Sequence, residues 1–526
     1  MLLWTLIFGL LPAVARGYNI LVTLPGMAGS QTLVMSRLSQ LLVDHGHSVT
    51  LLNPTFRESP GIKTTGVKIL QYPVQTFPPE DLTFLLEKMD YMSWDSNFPG
   101  LKPWEMPRML RAFTAICNTT LHNAKVMNDL ESQQFDVMII HIFDICGFGL
   151  AHVLGIESTI WMSSAFPIDF IQYFSGAPMP LSYVPSAFLN QDDRMSLPQR
   201  MKNVLSFVGG MAMFKKVIVP AFAQHFHAKY GPDFPDLISL MENTQMFFFY
   251  SDPLFDFPKP VAPNAYSIGG FFMNKPKPLN EEWTKVMTSD RAKKHGVILF
   301  SLGTVAKTKE MPKRLLMAFL TAFQKFPHQI VWKLDGDFPE SKQAPNIHMT
   351  KWMPQTDLLA HENVKLFITH GGYNSVTEAG FTGIPLLVIP LFGDQFGNAK
   401  RVERAGIGLG LGKLEVTAEA LQERMEKLLS DKNFTASAQR LSLMLRKQPF
   451  SPAERAVKSV EFLAEFKTMP NRLSLSFHFN PLQYFLLDVL AIFAAIFGVF
   501  IWISCFCCRL CCRKFCGGSV GKRKRE

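Results

Sequence analysis

The strongest constraint on this chain is a rhythm. From Tyr18 the text reads "YNILVTLPG", an apolar strand stopped by Pro-Gly. A helix follows, with Leu33, Val34, Leu38, Leu41 and Leu42 at helical spacing, and "HGHSVTLL" supplies a Gly stop and a second strand. A strand–helix–strand opening of this kind builds a parallel sheet with helices on its faces. The rhythm resumes at "FDVMIIHIF" (135–143), a helix over "GFGLAHVLG" and the strand "ESTIWMSS". A second series begins at "GVILFSLGT". It runs through "HQIVWKL", "NIHMTKW", "VKLFITH", "PLLVIP" and "GLGL", with helical segments between them and a Thr cap before "AEALQERMEKLLSD". Between the two series lies a Pro-rich stretch, 252–285, of linker composition. Two α/β domains therefore present the carboxyl ends of two sheets to a common cleft. Residues 90–113, rich in Trp, Met, Phe and Pro, read as loops and short helices, either core filling or lining of an apolar cleft or membrane face.

Charge and hydropathy place the rest. The net charge is +10, but seven Lys/Arg against one Glu in the last eighteen residues account for six of it. The positive charge belongs to a tail rather than a face, which excludes a nucleic-acid partner. Residues 489–508 are twenty in number and carry no charge, enough for one transmembrane helix. The basic flank of this span puts the tail, 509–526, in the cytosol and everything before Val489 in the lumen. The first seventeen residues read as a cleaved signal peptide. The terminal "KRKRE" resembles a lysine-based retrieval signal for the endoplasmic reticulum membrane, or is a solvated flank of the span. Six cysteines (505, 507, 508, 511, 512, 516) crowd the cytosolic end of the span, where acylation fits better than metal. Only Cys117 and Cys146 remain on the luminal side, too few for a disulfide scaffold, and Asn118 and Asn433 open glycosylation sequons.

The chemistry concentrates in "THGGYNSVTE" (369–378), where a strand hands over to a helix. Free N–H groups at a helix start favour an anion, and Gly371 and Gly372 let backbone come close to it. His370, Asn374 and Ser375 add donors, while Glu378, one turn beyond Asn374, suits sugar hydroxyls rather than phosphate. Upstream, Trp352 can stack on a base and Gln355 can reach a ribose; downstream, Asp394 and Gln395 suit sugar hydroxyls. Ser301, Gly303 and Thr304 sit on the first βα loop of this domain, read as a second helix-start phosphate position. Together these residues describe a nucleotide-sugar pocket.

The stretch 352–401, "WMPQTDLLAHENVKLFITHGGYNSVTEAGFTGIPLLVIPLFGDQFGNAKR", resembles the donor signature of the UDP-glycosyltransferases, closest to the animal UDP-glucuronosyltransferases. "FDFPKP", "PLSYVP" and the span with its basic tail agree, while "FDICGFGLAHVLG" and "LPQRMKN" resemble the ceramide galactosyltransferase branch. The resemblance implies a GT-B fold: two Rossmann-like domains with parallel sheets facing across a cleft, and a C-terminal transmembrane helix. The expected layout is an acceptor domain over 18–285, a UDP-sugar domain over 286–445, and a returning helix with juxtamembrane segment over 446–488. The implied reaction is inverting and needs no metal or cofactor, the UDP-sugar being a co-substrate. A hexose, glucuronate before glucose, passes to a small lipophilic acceptor. A ceramide-type lipid transferase, a non-catalytic binder, and association with itself or with active relatives are the other expectations.

By the resemblance, Trp352 meets uracil; Gln355 and Glu378 meet ribose; His370, Asn374, Ser375, Gly372 and Thr304 meet the diphosphate; Asp394 and Gln395 meet the transferred sugar. Lys259 stands where glucuronate users carry a basic residue. The family's catalytic pair is altered. Its histidine position reads Gln31 and its aspartate position reads His141, so either His141 is the base, oriented by Asp144, or the acceptor needs none.

Overall fold

The computed structural model describes residues 17–516 apart from residue 25 and the segments 27–28, 57–61, 75–77, 95–104, 274–275, 337–343, 471 and 474–477. The signal peptide and "KRKRE" lie outside the described residues.

The first sheet has seven strands: β1 (Asn19–Thr23), β2 (Ser48–Thr55), β3 (Lys68–Pro73), β4 (Val137–His141), β5 (Thr159–Ser163), β6 (Met246–Phe249) and β7 (Ala265–Ser267). All pair in parallel, in the order 3-2-1-4-5-6-7. The second has six, β8 (Val297–Ser301), β9 (Gln329–Lys333), β10 (Ile347–Thr350), β11 (Val364–Thr369), β12 (Leu386–Val388) and β13 (Gly408–Gly410), also parallel, in the order 10-9-8-11-12-13. Strands β1, β4 and β5 and strands β8, β11 and β12 are almost wholly buried, as strands covered on both faces must be. In each sheet the winding reverses once, between β1 and β4 and between β8 and β11. That reversal opens a crevice at the carboxyl ends of the strands, the place where such sheets bind ligands.

The helices that matter below are α1 (Gly29–Asp44), α2 (Pro79–Trp94), α3 (Met106–His122), α4 (Cys146–Val153), α5 (Leu197–Met213), α6 (Val219–Tyr230), α7 (Lys313–Gln324), α8 (Gln355–Leu359), α9 (Tyr373–Thr382), α10 (Gln395–Arg404), α11 (Ala418–Ser430), α12 (Pro452–Phe466) and α13 (Leu487–Cys516). Thr417 caps α11 by accepting the Ala420 N–H (3.1 Å), and α9 ends at Gly383 with φ +77°, as their residues foretold. Helix α12 returns to the first sheet: Lys467 just beyond it binds Asp136 (2.8 Å), and Arg455 within it donates to the Ser267 carbonyl (within a short hydrogen bond).

Three expectations change. The Pro-rich stretch is more than a linker, because it carries β7, the edge strand of the first sheet. Of residues 90–113, the described ends are not loops or short helices. They belong to α2 and α3, of 16 and 17 residues, and Trp94 is buried in the apolar cluster of the second sheet beside Phe300, Phe319 and Trp332. Within α1, Leu33 faces out while Val34, Met35, Leu38 and Leu42 form the buried stripe. Cys117 of α3 and Cys146 of α4 are joined in a buried disulfide, a pairing that two isolated cysteines did not announce.

Helix α13 forms a separate compact unit with the segment after Leu473; it is apolar and exposed along its length.

Candidate active site

The second sheet assembles its polar residues at the carboxyl ends of neighbouring strands. Register aligns Thr369 with both Ser301 and Val388, and Phe300 with Trp332, so Ser301, Lys333 and His370 leave the sheet side by side. His370 lies at the winding reversal itself. Its ring occupies the room left by two glycines: a Cβ on Gly303 would lie 2.7 Å from the imidazole, and one on Gly372 would collide with Nε2. The glycines therefore make space for a histidine, where the sequence alone had suggested space for phosphate. Gly303 and Gly371 also hold φ of +82° and +81°, a region that costs other residues strain. Burial lowers the His370 pKa to about 4, helped by the Lys333 charge and opposed by a hydrogen bond to the Ser301 carbonyl. The neutral ring thus gives its one N–H to protein backbone.

Glu378 is the hub of a second cluster. Gln355 Nε2 donates to Glu378 Oε2 (2.5 Å) and to Ser375 Oγ (3.1 Å), and Thr356 Oγ1 donates to Glu378 Oε1 (3.0 Å). Burial nonetheless raises the Glu378 pKa, its two hydrogen-bond donors pulling the other way. Gln355, Ser375 and Glu378, expected at the ribose and diphosphate, are thus joined in one hydrogen-bonded cluster. Among the described residues the buried Asn374 Oδ1 has no hydrogen-bond partner, an acceptor left over at the start of α9. Trp352 follows β10 and is 70% exposed, an open ring face.

Asp394 and Gln395 open α10, but both already have work. Gln395 is buried, and its carbonyl oxygen accepts from the Leu391 and Phe392 N–H groups (2.8 and 3.1 Å). Asp394 accepts from Asn398 Nδ2 (2.8 Å), which also donates to the Gly371 carbonyl (2.9 Å). Burial raises the Asp394 pKa.

Two expectations are corrected in this half. Thr304 is exposed in a turn, and α7 starts only at Lys313, so no helix start lies at Thr304. Lys259 is not a free cation: its side chain is 9% exposed and bound to Asp256 (2.6 Å), which also takes Arg401 Nε (2.7 Å). Sequence reasoning missed Lys333, whose ammonium donates to the Gly303 carbonyl (2.8 Å) and lies 5.4 Å from the Trp352 ring. The available signal was a lone lysine ending an apolar strand of the very sheet whose other strand ends carry the site. Asn398, in "DQFGNAK", was passed over in the same way.

The first sheet's reversal looks different. His141 ends β4 with no exposed surface. Its Nδ1 accepts the Phe143 N–H (3.3 Å), so the ring hydrogen sits on Nε2, 3.1 Å from Ser164 Oγ. Burial drives its pKa down to about 3. Its one basic nitrogen accepts from backbone rather than facing the cleft mouth as a free lone pair. Asp144 does not orient that ring. Its carboxylate accepts from the Thr23 hydroxyl and from the N–H groups of Cys146 and Gly147 (3.2 Å for Gly147), and it is only partly buried. Burial outweighs these donors and raises its pKa to about 6. Thr23 in turn accepts the His141 N–H (3.2 Å), so β1 and β4 are laced together at the reversal. Gln31 lies partly exposed in the first turn of α1.

Of the two sequons, Asn433 is exposed in the first turn of the helix Lys432–Arg446. Asn118 lies mid-helix in α3, and the hydroxyl of its Thr120 is buried between Tyr72 and the Ile116 carbonyl.

Residues 19–524 match the family described as "UDP-glucoronosyl and UDP-glucosyl transferase". The chain belongs to this family. Among characterised UDP-glycosyltransferases it is 31% identical to mouse UDP-glucuronosyltransferase 1A1, over 95% of this chain and 92% of that protein. It is 32% identical to bovine UDP-glucuronosyltransferase 3A1, over 83% of each. Solved structures share the fold. Phytolacca americana UGT2, complexed with UDP-2fluoro-glucose and pterostilbene, superposes with TM-score 0.58 at 15% identity, covering 85% of this chain and all of the other. The calicheamicin glycosyltransferase CalG4 gives 0.57 at 18%, covering 86% of this chain and all of the other. The two parallel sheets are thus a GT-B pair, and the protein is a glycosyltransferase of the UDP-sugar-using class.

Proposed function

We propose that this UDP-glycosyltransferase moves a hexose, glucuronate or glucose, from its UDP-sugar to a small lipophilic acceptor with inversion at the anomeric carbon. The observation that carries the reading is the Glu378–Gln355–Ser375 hydrogen-bond cluster in the same strand-end region as the exposed Trp352 and His370. In this reading uracil stacks on Trp352, the ribose hydroxyls bind Glu378, and the diphosphate lies across the α9 start, where free N–H groups and the helix dipole favour it. His370 donates to a phosphate oxygen by taking a second proton, which the diphosphate charge favours. The leaving UDP then meets fixed positive charge as the bond breaks. Glucuronate finds no free cation in Lys259, and the support for it is the identity of the relatives.

Asp144 takes the proton from the acceptor hydroxyl. Unlike His141 the residue keeps some exposed surface, and the pKa of its carboxylate, raised by burial to about 6, makes it a stronger base than an ordinary aspartate. Gln31, partly exposed in the first turn of α1, orients the acceptor by hydrogen bonding in this reading. A luminal address in the endoplasmic reticulum membrane, anchored by α13, is supported by the Cys117–Cys146 disulfide, which an oxidising compartment preserves.

The test is a donor screen. Microsomes carrying the full chain receive labelled UDP-glucuronate, UDP-glucose or UDP-galactose with phenols, amines, sterols and ceramide, and conjugates are read by mass. Conjugates of small acceptors support the proposal. Conjugates of ceramide alone assign the lipid branch, and UDP binding with no conjugate from any pairing rejects transfer.

A further inference from the structure

Helices α5 and α6 and the π-turn between them (Phe214–Ile218) form one continuous helical stretch, Leu197–Tyr230, long and apolar enough to cross a membrane. It is held on the body instead. Asn203 is fully buried on its inner face: its oxygen accepts the Ser186 N–H (2.6 Å), and its amide donates to the Leu181 and Val184 carbonyls (2.9 and 2.8 Å). Phe214 stacks on Phe170 at 4.3 Å, and Phe222 and Phe226 are buried beyond it. A helix with one face fastened in this way cannot leave to span a bilayer.

The opposite face is the unusual one. Leu197, Met201, Val204, Leu205 and Val208 recur at helical spacing along α5 and are all exposed, Leu197 by 63% and Leu205 by 72%; Val217 continues the stripe. Soluble surfaces rarely show so regular an apolar row without a partner. Arg200, Lys202 and Lys216 are exposed beside it, and the 34 residues contain five Lys or Arg and no Asp or Glu. This combination is that of a helix lying in a membrane interface, apolar face in the acyl region and cations among headgroups. A second copy is the poorer occupant, because a two-fold contact would set this acid-free cationic face against itself.

We propose that the α5 face docks the first domain onto an anionic phospholipid surface, a second attachment besides the α13 span. The full chain is reconstituted into phosphatidylcholine vesicles with or without phosphatidylserine, each containing a diazirine-bearing phospholipid. After photolysis, lipid adducts are mapped by peptide mass. Adducts should appear within 197–217 as well as within 487–514, should grow with phosphatidylserine, and should be absent from α11. In a Leu205→Glu/Val208→Glu variant the 197–217 adducts should be lost while those of the span persist. Adducts confined to the span would overturn the proposal, as would protein–protein crosslinks joining two 197–217 segments. The wild-type map decides the matter even if the variant misfolds, and none of these readouts depends on transferase activity.

Discussion

The two sheets reverse their winding in the same way, yet the two reversals have been used differently. At the β8/β11 reversal a histidine stands in a slot between two glycines, with a lysine, a glutamate cluster and an open tryptophan around it. At the β1/β4 reversal the histidine is sealed in, held by backbone and a serine, and the partly exposed titratable group is a carboxylate three residues on. The comparison teaches that position in a fold does not make a catalytic residue. The same residue type at equivalent strand ends sits partly exposed in a slot between glycines at one reversal, and sealed against backbone and a serine at the other.

Breaking the acceptor side should have the largest effect. Asp144→Asn is expected to lower kcat about 10²–10⁴-fold, whereas His141→Asn should keep most of kcat in the protein that folds. In the parent enzyme log(kcat/KM) should climb as pH rises to about 6 and then level, since only ionised Asp144 accepts a proton; the Asn variant should lack that limb. A dead His141→Asn beside an active Asp144→Asn would reverse the assignment of the two roles.

On the donor side, Gly303→Ala pushes a methyl into the His370 ring and places a side chain at φ +82°. Strain of about 1–3 kcal/mol should weaken UDP binding by about tenfold or more, read by calorimetry, with the acceptor KM unchanged. Trp352→Ala should raise the UDP-sugar KM about tenfold, since base stacking is worth ~1–3 kcal/mol. UDP should also bind with uptake of a proton on His370. Its free pKa is about 4 and the diphosphate raises it, so affinity should fall as pH rises through the bound-state pKa, by less than tenfold per pH unit. Binding calorimetry in buffers of different ionisation enthalpy counts that proton, and a count of zero in every buffer leaves His370 neutral. The smallest effect is expected at the rim joining the two halves. Arg404 forks onto Asp193 (3.0 and 3.1 Å) in the open, so Arg404→Ala should cost no more than ~0.5 kcal/mol of stability by thermal melting.

The alternation of apolar strands and helices made both parallel sheets legible before any coordinates, because strands buried on both faces write their pattern directly in the chain. The glutamate cluster and Trp352 were legible for a different reason: they fall within one contiguous stretch, 352–378, where local spacing implies proximity. Lys333 and the Asp256–Lys259–Arg401 ion cluster were not, since they arise from strand register and from contacts more than a hundred residues apart. The closing of His141 was equally hidden. Nothing in "MIIHIFD" tells whether the turn after a strand offers its last residue to the cleft or folds over it.

Trp94 and its neighbour carry a consequence for motion. Trp94 comes from a helix of the first half and sits in the core of the second, while the preceding Ser93 carbonyl accepts from the buried Lys413 ammonium (3.3 Å), which also serves Leu391 (2.6 Å). A wide swing of the halves about a hinge would drag an indole into water and take an acceptor from a buried cation. Any wide opening of the halves would therefore carry the cost of exposing that indole, a cost that side-chain movement at the exposed Trp352 does not incur.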